Sequence, residues 1–411
     1  MTKKVLSLAV TAVLATPLVT HADIKLYGQI GAEAASVEYA EGNEDLVRGN
    51  MANDLSFTQK SDDMGRQTLT RDRYGNILND GPNLIGLDFD LNDQKLAGGL
   101  IPHARYRTTF HTTDNTGLGP GLEAWFGLKN DFFQLKYGKL RGAYRHAKGL
   151  IDPWIYTSMQ ARGSGGGMSG GRHNEVHWNW NDAGDQRLVV KDIDTGKVGI
   201  NPGKGIDTSG LVHSSDIPGA LELGVTFGQV NARVQIMADD DADKSGGNAE
   251  LKYTTDNMSV WLLGAYLDQG DNQLAAGGNK WNNDKYRNWK IGASYKVIPG
   301  LKLALQYEDG ELGAFDNNPD GGKYIIGSFD YRIHNITLAG WVANYKSDID
   351  EKLRLTDIDG KRLEEDALSW TLGAKYHLAK NAHIFAGYRQ TDSDNDYRDE
   401  NVFSVGGLYK F

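Results

Sequence analysis

Four stretches of the chain carry residue types that could do chemistry at something near the spacing chemistry needs. "HNEVH" (173–177) sets two histidines four residues apart, as a helical zinc site would. The order is not H-E-x-x-H, however, and no helical period surrounds it. "DADKSG" (241–246) mimics the first half of a calcium loop, yet the twelfth position is Lys252, where a bidentate glutamate belongs. "GSGGGMSGG" (163–171) has the glycines of a phosphate cradle without the Gly-Lys-Ser/Thr that completes one. His146, Asp152 and Ser158 supply the three groups of a hydrolase triad, but no G-x-S-x-G elbow presents the serine. These stretches therefore predict no metal, no cofactor and no enzyme.

The remaining chemistry is electrostatic. Charged residues recur at every second position, as in Arg105 and Arg107, or Asp88 and Asp90, with apolar or small residues between them. The chain of 411 residues has a formal net charge of −10, which argues against a strong nucleic-acid binder. Mean hydropathy is −0.50, and past the N-terminus there is no run of roughly 18 apolar residues that could span a bilayer as a helix. The first 22 residues differ from the rest. Lys3 and Lys4 precede the apolar stretch Val5–Val19, and Thr20-His21-Ala22 precede Asp23. That is the pattern of a secretory signal peptide over 1–22, leaving 23–411 as a single domain. The absence of cysteine means that the exported chain holds itself together without disulfides.

Elements able to position alternating charges must have a period of two. "GALELGVTF" sets Leu221, Leu223, Val225 and Phe227 against Glu222 and Thr226. "NWKIGASYKV", "LKLALQYED" and "ALSWTLGAKYHL" repeat the pattern with Lys290, Lys302 and Lys375 on the polar side. Such segments predict strands with two unlike faces. Short connections at 255–257, 298–300, 334–335 and 379–381 alternate with long polar ones at 239–247, 268–287, 310–322, 346–366 and 392–400. A membrane barrel, with tight turns on one side and large loops on the other, accounts for that alternation. Just before the short turns stand Tyr253, Tyr295, Tyr331, Tyr376 and Tyr409, which predict an outward aromatic ring at a membrane–water boundary.

The fold expected is all-β: a transmembrane antiparallel barrel of sixteen strands, or eighteen if a weak strand hides in 53–60. Sixteen requires 220–238 to be one long strand with a phase shift near Gln229-Val230. It also takes 205–216 as a strand and "IPG" (217–219) as a turn like the later "IPG" at 298–300. Residues 37–82 form the first long loop, and 141–206 form the longest stretch without alternation, which should be functional or disordered.

At this point the chain resembles the Gram-negative general diffusion porins. The residues that carry the likeness are "LYGQIG" (26–31), "GLDFDLNDQKLAGGL" (86–100), "FGLKNDFFQLKYGKLRGAY" (126–144), "SGLVHSSDIPG" (209–219) and the terminal Phe411. The resemblance implies a homotrimer in the Gram-negative outer membrane, among lipids and lipopolysaccharide. It implies a third loop folded inward behind "YGK" (137–139) and a terminal aromatic, Phe411, that serves as assembly signal. It also implies passive diffusion of small hydrophilic solutes and ions. A substrate-specific sugar or anion channel and a plugged adhesin barrel are the alternatives. Between Lys139 and Arg162 the chain departs from the family pattern, holding five basic residues and a single carboxylate, Asp152.

On this reading the polar faces line an aqueous bore. The constriction is expected at Arg105, Arg107 and Lys136 on the wall with Arg141, Arg145 and Asp152 on the loop. Lys302, Asp330 and Arg332 line the bore elsewhere. Acidic outer loops draw cations and the basic neck draws anions, so the preferred charge stays open.

Overall fold

In the computed structural model, the residues described are 23–39, 67–70, 83–92, 95–110, 118–155, 157–161, 188–192, 198–200, 216–239, 244–268, 285–311, 321–347, 353–357, 366–393 and 400–411. Among them, sixteen antiparallel strands close on themselves. They are β1 (Asp23–Tyr39), β2 (Leu84–Asp90), β3 (Ile101–Phe110), β4 (Leu118–Lys129), β5 (Phe133–Arg141), β6 (Asp216–Phe227), β7 (Val230–Asp239) and β8 (Lys244–Thr254). The circuit continues with β9 (Met258–Asp268), β10 (Lys285–Ile298), β11 (Leu301–Glu311), β12 (Gly321–Ile333), β13 (Ile336–Ser347), β14 (Ala367–Ala379), β15 (Ala382–Ser393) and β16 (Glu400–Lys410). Each strand pairs with its neighbours in sequence, and β1 pairs with both β2 and β16. Closure leaves no open edge in the main circuit, the condition for strands to cross hydrocarbon.

The burial pattern is inverted relative to a water-soluble protein. Leu221, Leu223, Val225, Leu303, Leu305 and Ile325 stand on the exposed face, whereas Glu222, Glu308, Lys290 and Arg389 are buried. A charged inner face and an aliphatic outer one are what a lipid-embedded barrel requires. The short turns carry the expected chemistry. At Pro299-Gly300 the glycine has φ +86°, and a Cβ there would lie 2.5 Å from the Arg332 carbonyl oxygen. His334 has φ 52° in the two-residue turn between β12 and β13.

Three expectations change. Residues 220–238 are a hairpin, with β6 and β7 joined by a turn at Gly228-Gln229 and Val230 paired with Phe227. A two-residue turn reverses the chain while flipping which parity faces out, which in sequence looks like a phase shift. "IPG" (217–219) is not a turn. It lies inside β6, where Gly219 (φ +67°) faces a register shift between Gly138 and Leu140 on β5. A proline at such an irregularity withholds no ladder donor that the sheet needs. The extra strand end lost here and the hairpin gained there cancel, so the count stays at sixteen. The connection expected to be long at 239–247 is short, because Lys244–Gly247 already pair with Ile236–Asp239.

Outside the circuit, Gln67–Thr70 pairs antiparallel with Ala34–Val37 of β1, and Leu188–Asp192, Val198–Ile200 and Leu353–Asp357 form a small separate sheet. One helix, α1 (Ala143–Ile151), follows β5. The possible strand at 53–60, the signal stretch 1–22, "HNEVH" and "GSGGGMSGG" lie outside the described residues.

Candidate functional site

The inner wall has two unlike halves. On β2–β8 it is a ladder of alternating charges. Arg105 makes a bidentate contact with Asp88, Nε to Oδ1 at 2.6 Å and Nη2 to Oδ2 at 2.9 Å. Glu123 lies 3.1 Å from Arg107 Nε and 3.9 Å from Arg105 Nη1. Lys129 Nζ reaches Asp90 at 2.6 Å, and Lys136 Nζ reaches Glu222 at 2.8 Å. Glu222 is also 3.7 Å from Arg233, which in turn pairs with Glu250. Trp125 lies among these cations, with Lys136 Nζ 4.9 Å and Arg105 Cζ 5.7 Å from its ring centre. The physical cause is register. Asp88 faces Arg105, Arg107 faces Glu123, and Lys136 faces Glu222 directly across adjacent strands.

On β8–β15 apolar side chains such as Trp261, Leu263, Tyr324 and Trp341 stand among polar ones such as Lys290, Glu308 and Arg389, and this apolar part is covered. Helix α1 turns Ala143, Ala147 and Ile151, spaced four apart, onto Trp261, Leu263, Ala304, Tyr324 and their neighbours, all buried. It touches β8, β9, β11 and β12. The turn that follows presses Trp154 and Met159 onto the wall further round the barrel. Trp154 Nε1 donates to the Ala339 carbonyl at 3.2 Å, and Trp341 Nε1 donates to the Met159 carbonyl at 3.1 Å. Two glycines make room for them. A Cβ on Gly373 would lie 2.7 Å from Trp154 Cζ2, and one on Gly387 would lie 2.3 Å from Met159 Sδ.

Two wall residues fasten the ends of this segment. Gln235, on β7, accepts from Ala143 N at 2.9 Å and donates to the Arg141 carbonyl at 2.9 Å and to Glu222 at 2.6 Å. Glu33, on β1, accepts at Oε1 from Ser158 N at 2.8 Å, from Ser158 Oγ at 2.5 Å and from Ser404 Oγ. The described part of the segment is therefore tied to the wall at both ends.

The sequence-predicted residues distribute across this geometry as follows. Arg105, Arg107 and Lys136 meet in the charged ladder. Arg141 lies where β5 leaves the wall, its carbonyl held by Gln235. Arg145 falls within α1, and its side chain is outside the described residues. Asp152 is buried and accepts from Trp154 N and Ala161 N, both at 2.8 Å, so it holds the turn together. Lys302 faces Asp330 across the strands and donates to the Leu150 carbonyl at 3.2 Å. Arg332 sits apart at the short-turn rim, bonded to the His334 carbonyl at 3.2 Å. Asp152 and Ser158 are both engaged in fixing the turn. Lys244–Gly246 of the calcium-like stretch are paired strand, not loop.

Tyr253, Tyr295, Tyr331, Tyr376 and Tyr409 occupy one level of the outer face. Each pairs with the first residue after a short turn: Val230, Met258, Leu301, Ile336 and Ala382 respectively. Phe411 closes the barrel seam, exchanging backbone hydrogen bonds of 3.0 Å with Gly28, and its ring stacks on Tyr409 at 6.3 Å. A Cβ on Gly28 would lie 2.5 Å from that ring.

The sequence reading missed Glu33, Glu123, Arg233, Gln235 and Trp154. The signal for Arg233 and Gln235 was present, since they alternate with Ala232, Val234 and Ile236. It was masked by taking 220–238 as one strand. Trp154 and Glu33 meet their partners 125 to 371 residues away in sequence, beyond the reach of any local pattern.

Known proteins of similar structure share this architecture. An anion-selective porin from Comamonas acidovorans superposes with a TM-score of 0.59 at 14% identity, covering 95% of this chain and all of that one. OmpT of Vibrio cholerae in a trimer form gives 0.56 at 13% identity, over 95% and 99%. These likenesses bear on fold. In sequence, outer membrane porin F of Xenorhabdus nematophila is 28% identical over 158 residues, which are 37% of this chain and 40% of that protein's length. The family model of the Gram-negative porins matches residues 9–396, so the chain belongs to that family of outer-membrane proteins.

Proposed function

We propose that the chain forms a water-filled channel for passive diffusion of small hydrophilic solutes and ions. The observation that carries this reading is the pairing of a closed barrel with an inverted surface, charged within and aliphatic without. Such a wall places polar solutes against water and fixed charges, and it places lipid against leucine and valine. The channel performs no bond chemistry. Its selectivity resides in the ladder of Arg105, Arg107 and Lys136 with their carboxylates, opposite the segment Arg141–Ala161 that narrows the bore. The tyrosine level and Phe411 lie at the membrane boundary, and Phe411 also serves as the assembly signal. The exported chain begins at Asp23 and assembles as a homotrimer among outer-membrane lipids and lipopolysaccharide. A trimer form of the Vibrio cholerae neighbour supports that stoichiometry.

Single-channel recording of the purified protein in a planar bilayer tests the proposal. Discrete ohmic steps are the expected result, and a barrel that inserts without producing steps would remove the channel reading.

A further inference from the structure

At the short-turn end of the bore, the inner faces of β10–β16 gather several cations around a facing acid, Asp330, which stands across from Lys302. Lys296 and Lys302 stand directly opposite each other, as do Thr337 and Lys375, and Lys410 faces Gln29. Lys296 Nζ, Lys302 Nζ and Arg332 Nε each donate to a backbone carbonyl. Among the described residues, none of Lys302, Arg332, Lys375 and Lys410 has a carboxylate within ion-pair distance. The charged ladder on the opposite wall is different, because every basic residue named there has an acid beside it. Like charges across a strand pair are destabilising unless something intervenes.

Between this wall and the docked turn lies a cavity of about 210 Å³. At about 30 Å³ per water it holds about seven waters, or one small organic molecule. Lys375, His383 and Lys410 line it from β14, β15 and β16. Pro153, Trp154 and Thr157 cover it from the loop, with Lys375 Nζ 4.6 Å from the Trp154 ring centre and bonded to the Pro153 carbonyl. Glu33 reaches it from β1. That residue is only 7% exposed. Its Oε1 is filled by Ser158 and Ser404, but its Oε2 has no hydrogen-bond partner among the described residues. A buried carboxylate oxygen left in that state calls for a donor.

We propose that this cavity is a binding subsite for small organic carboxylates bearing a hydroxyl or ammonium donor beside the carboxylate. Lys375 and Lys410 take the carboxylate, and the free oxygen of Glu33 accepts from the adjacent donor. Two cations and one acceptor lining a space this size match that pair of groups, whereas a bare inorganic anion would leave the glutamate oxygen unanswered and face its charge. The subsite rests on the channel reading, because it names a solute class for the same bore.

Lactate and propionate, which differ by one hydroxyl, are the probes. Saturation-transfer NMR on the detergent-solubilised full chain reads binding directly, and lactate block of current in bilayers reads it in conduction. Lactate should saturate, with propionate at least threefold weaker. Lys375→Gln and, at the exposed rim, Lys410→Gln should each weaken lactate about tenfold, the usual loss for one charge-assisted bond. Glu33→Gln should abolish the preference for lactate over propionate. Absence of saturable transfer, or affinities unmoved by both lysine substitutions, would overturn the subsite while leaving conductance steps intact. Binding that follows the substitutions without any conductance steps would sink the channel reading and leave the subsite standing.

Discussion

The two halves of the inner wall solve the same problem in opposite ways. Along β2–β8, a strand face that must not be apolar is filled with charges that neutralise one another across the ladder, with Arg105, Asp88, Lys129 and Asp90 partly open to the bore. Along β8–β15, much of the same face is alanine, tryptophan, tyrosine and isoleucine, and it is kept from water by α1 and the turn after it. The charged half can be read as a lining and the apolar half as a seat. The difference teaches that alternation alone fixes which side of a strand faces inward, whereas composition on that side decides whether the bore or the chain itself occupies the space.

The comparison can be broken most severely at Trp154. Truncating this fully buried side chain (Trp154→Ala) removes the anchor against Ala339, Lys375 and Gly373, a loss of about 3–5 kcal/mol for a buried tryptophan. The seat should empty, and single-channel conductance should rise with it. Glu33→Ala should have a smaller effect. It strips the acceptor from Ser158 and Ser404 at a cost of about 1–3 kcal/mol, and it should appear as increased open-channel current noise with little change in mean conductance. Arg105→Gln acts on the other half. It leaves Asp88 and Glu123 facing the bore without their shared guanidinium, so the reversal potential in a salt gradient should move toward cation preference. The smallest effect is screening. Raising ionic strength from about 0.1 to 1 M shortens the Debye length from about 10 to 3 Å and should weaken whatever charge preference the wild type shows.

Legibility in the sequence followed the range of the interaction. The inward parity of Arg105, Lys136, Glu222, Lys290 and Lys375 could be read because neighbouring side chains on a strand face opposite ways whatever surrounds them. The tyrosine level could be read because it keeps a fixed offset from the short turns. The hairpin at Gly228-Gln229 could not be read, since a two-residue turn and a phase shift leave the same trace in an alternating pattern. "IPG" was read alike at both sites, although only 298–300 is a turn; the other owes its geometry to its partner strand. The seat was least legible. Ala143, Ala147, Ile151 and Trp154 give the segment an apolar side, but nothing local says that Ala339, Trp341, Gly373 and Gly387 will receive it. In the same way, Asp152 looked like the acid of a constriction and instead ties its own turn, because backbone N–H groups two and nine residues on compete for its oxygens.

The division of the wall is most directly tested with thiols, because the chain has no cysteine of its own. Single substitutions Lys252→Cys on the charged side and Ala343→Cys beneath the docked segment would be compared for reaction with a small charged, water-borne thiol reagent in folded protein. The expected result is rapid modification at 252 and slow modification at 343, with the rate at 343 rising when Trp154→Ala is added. Equal rates at the two positions, or a faster reaction at 343, would contradict the assignment of one half to water and the other to the loop.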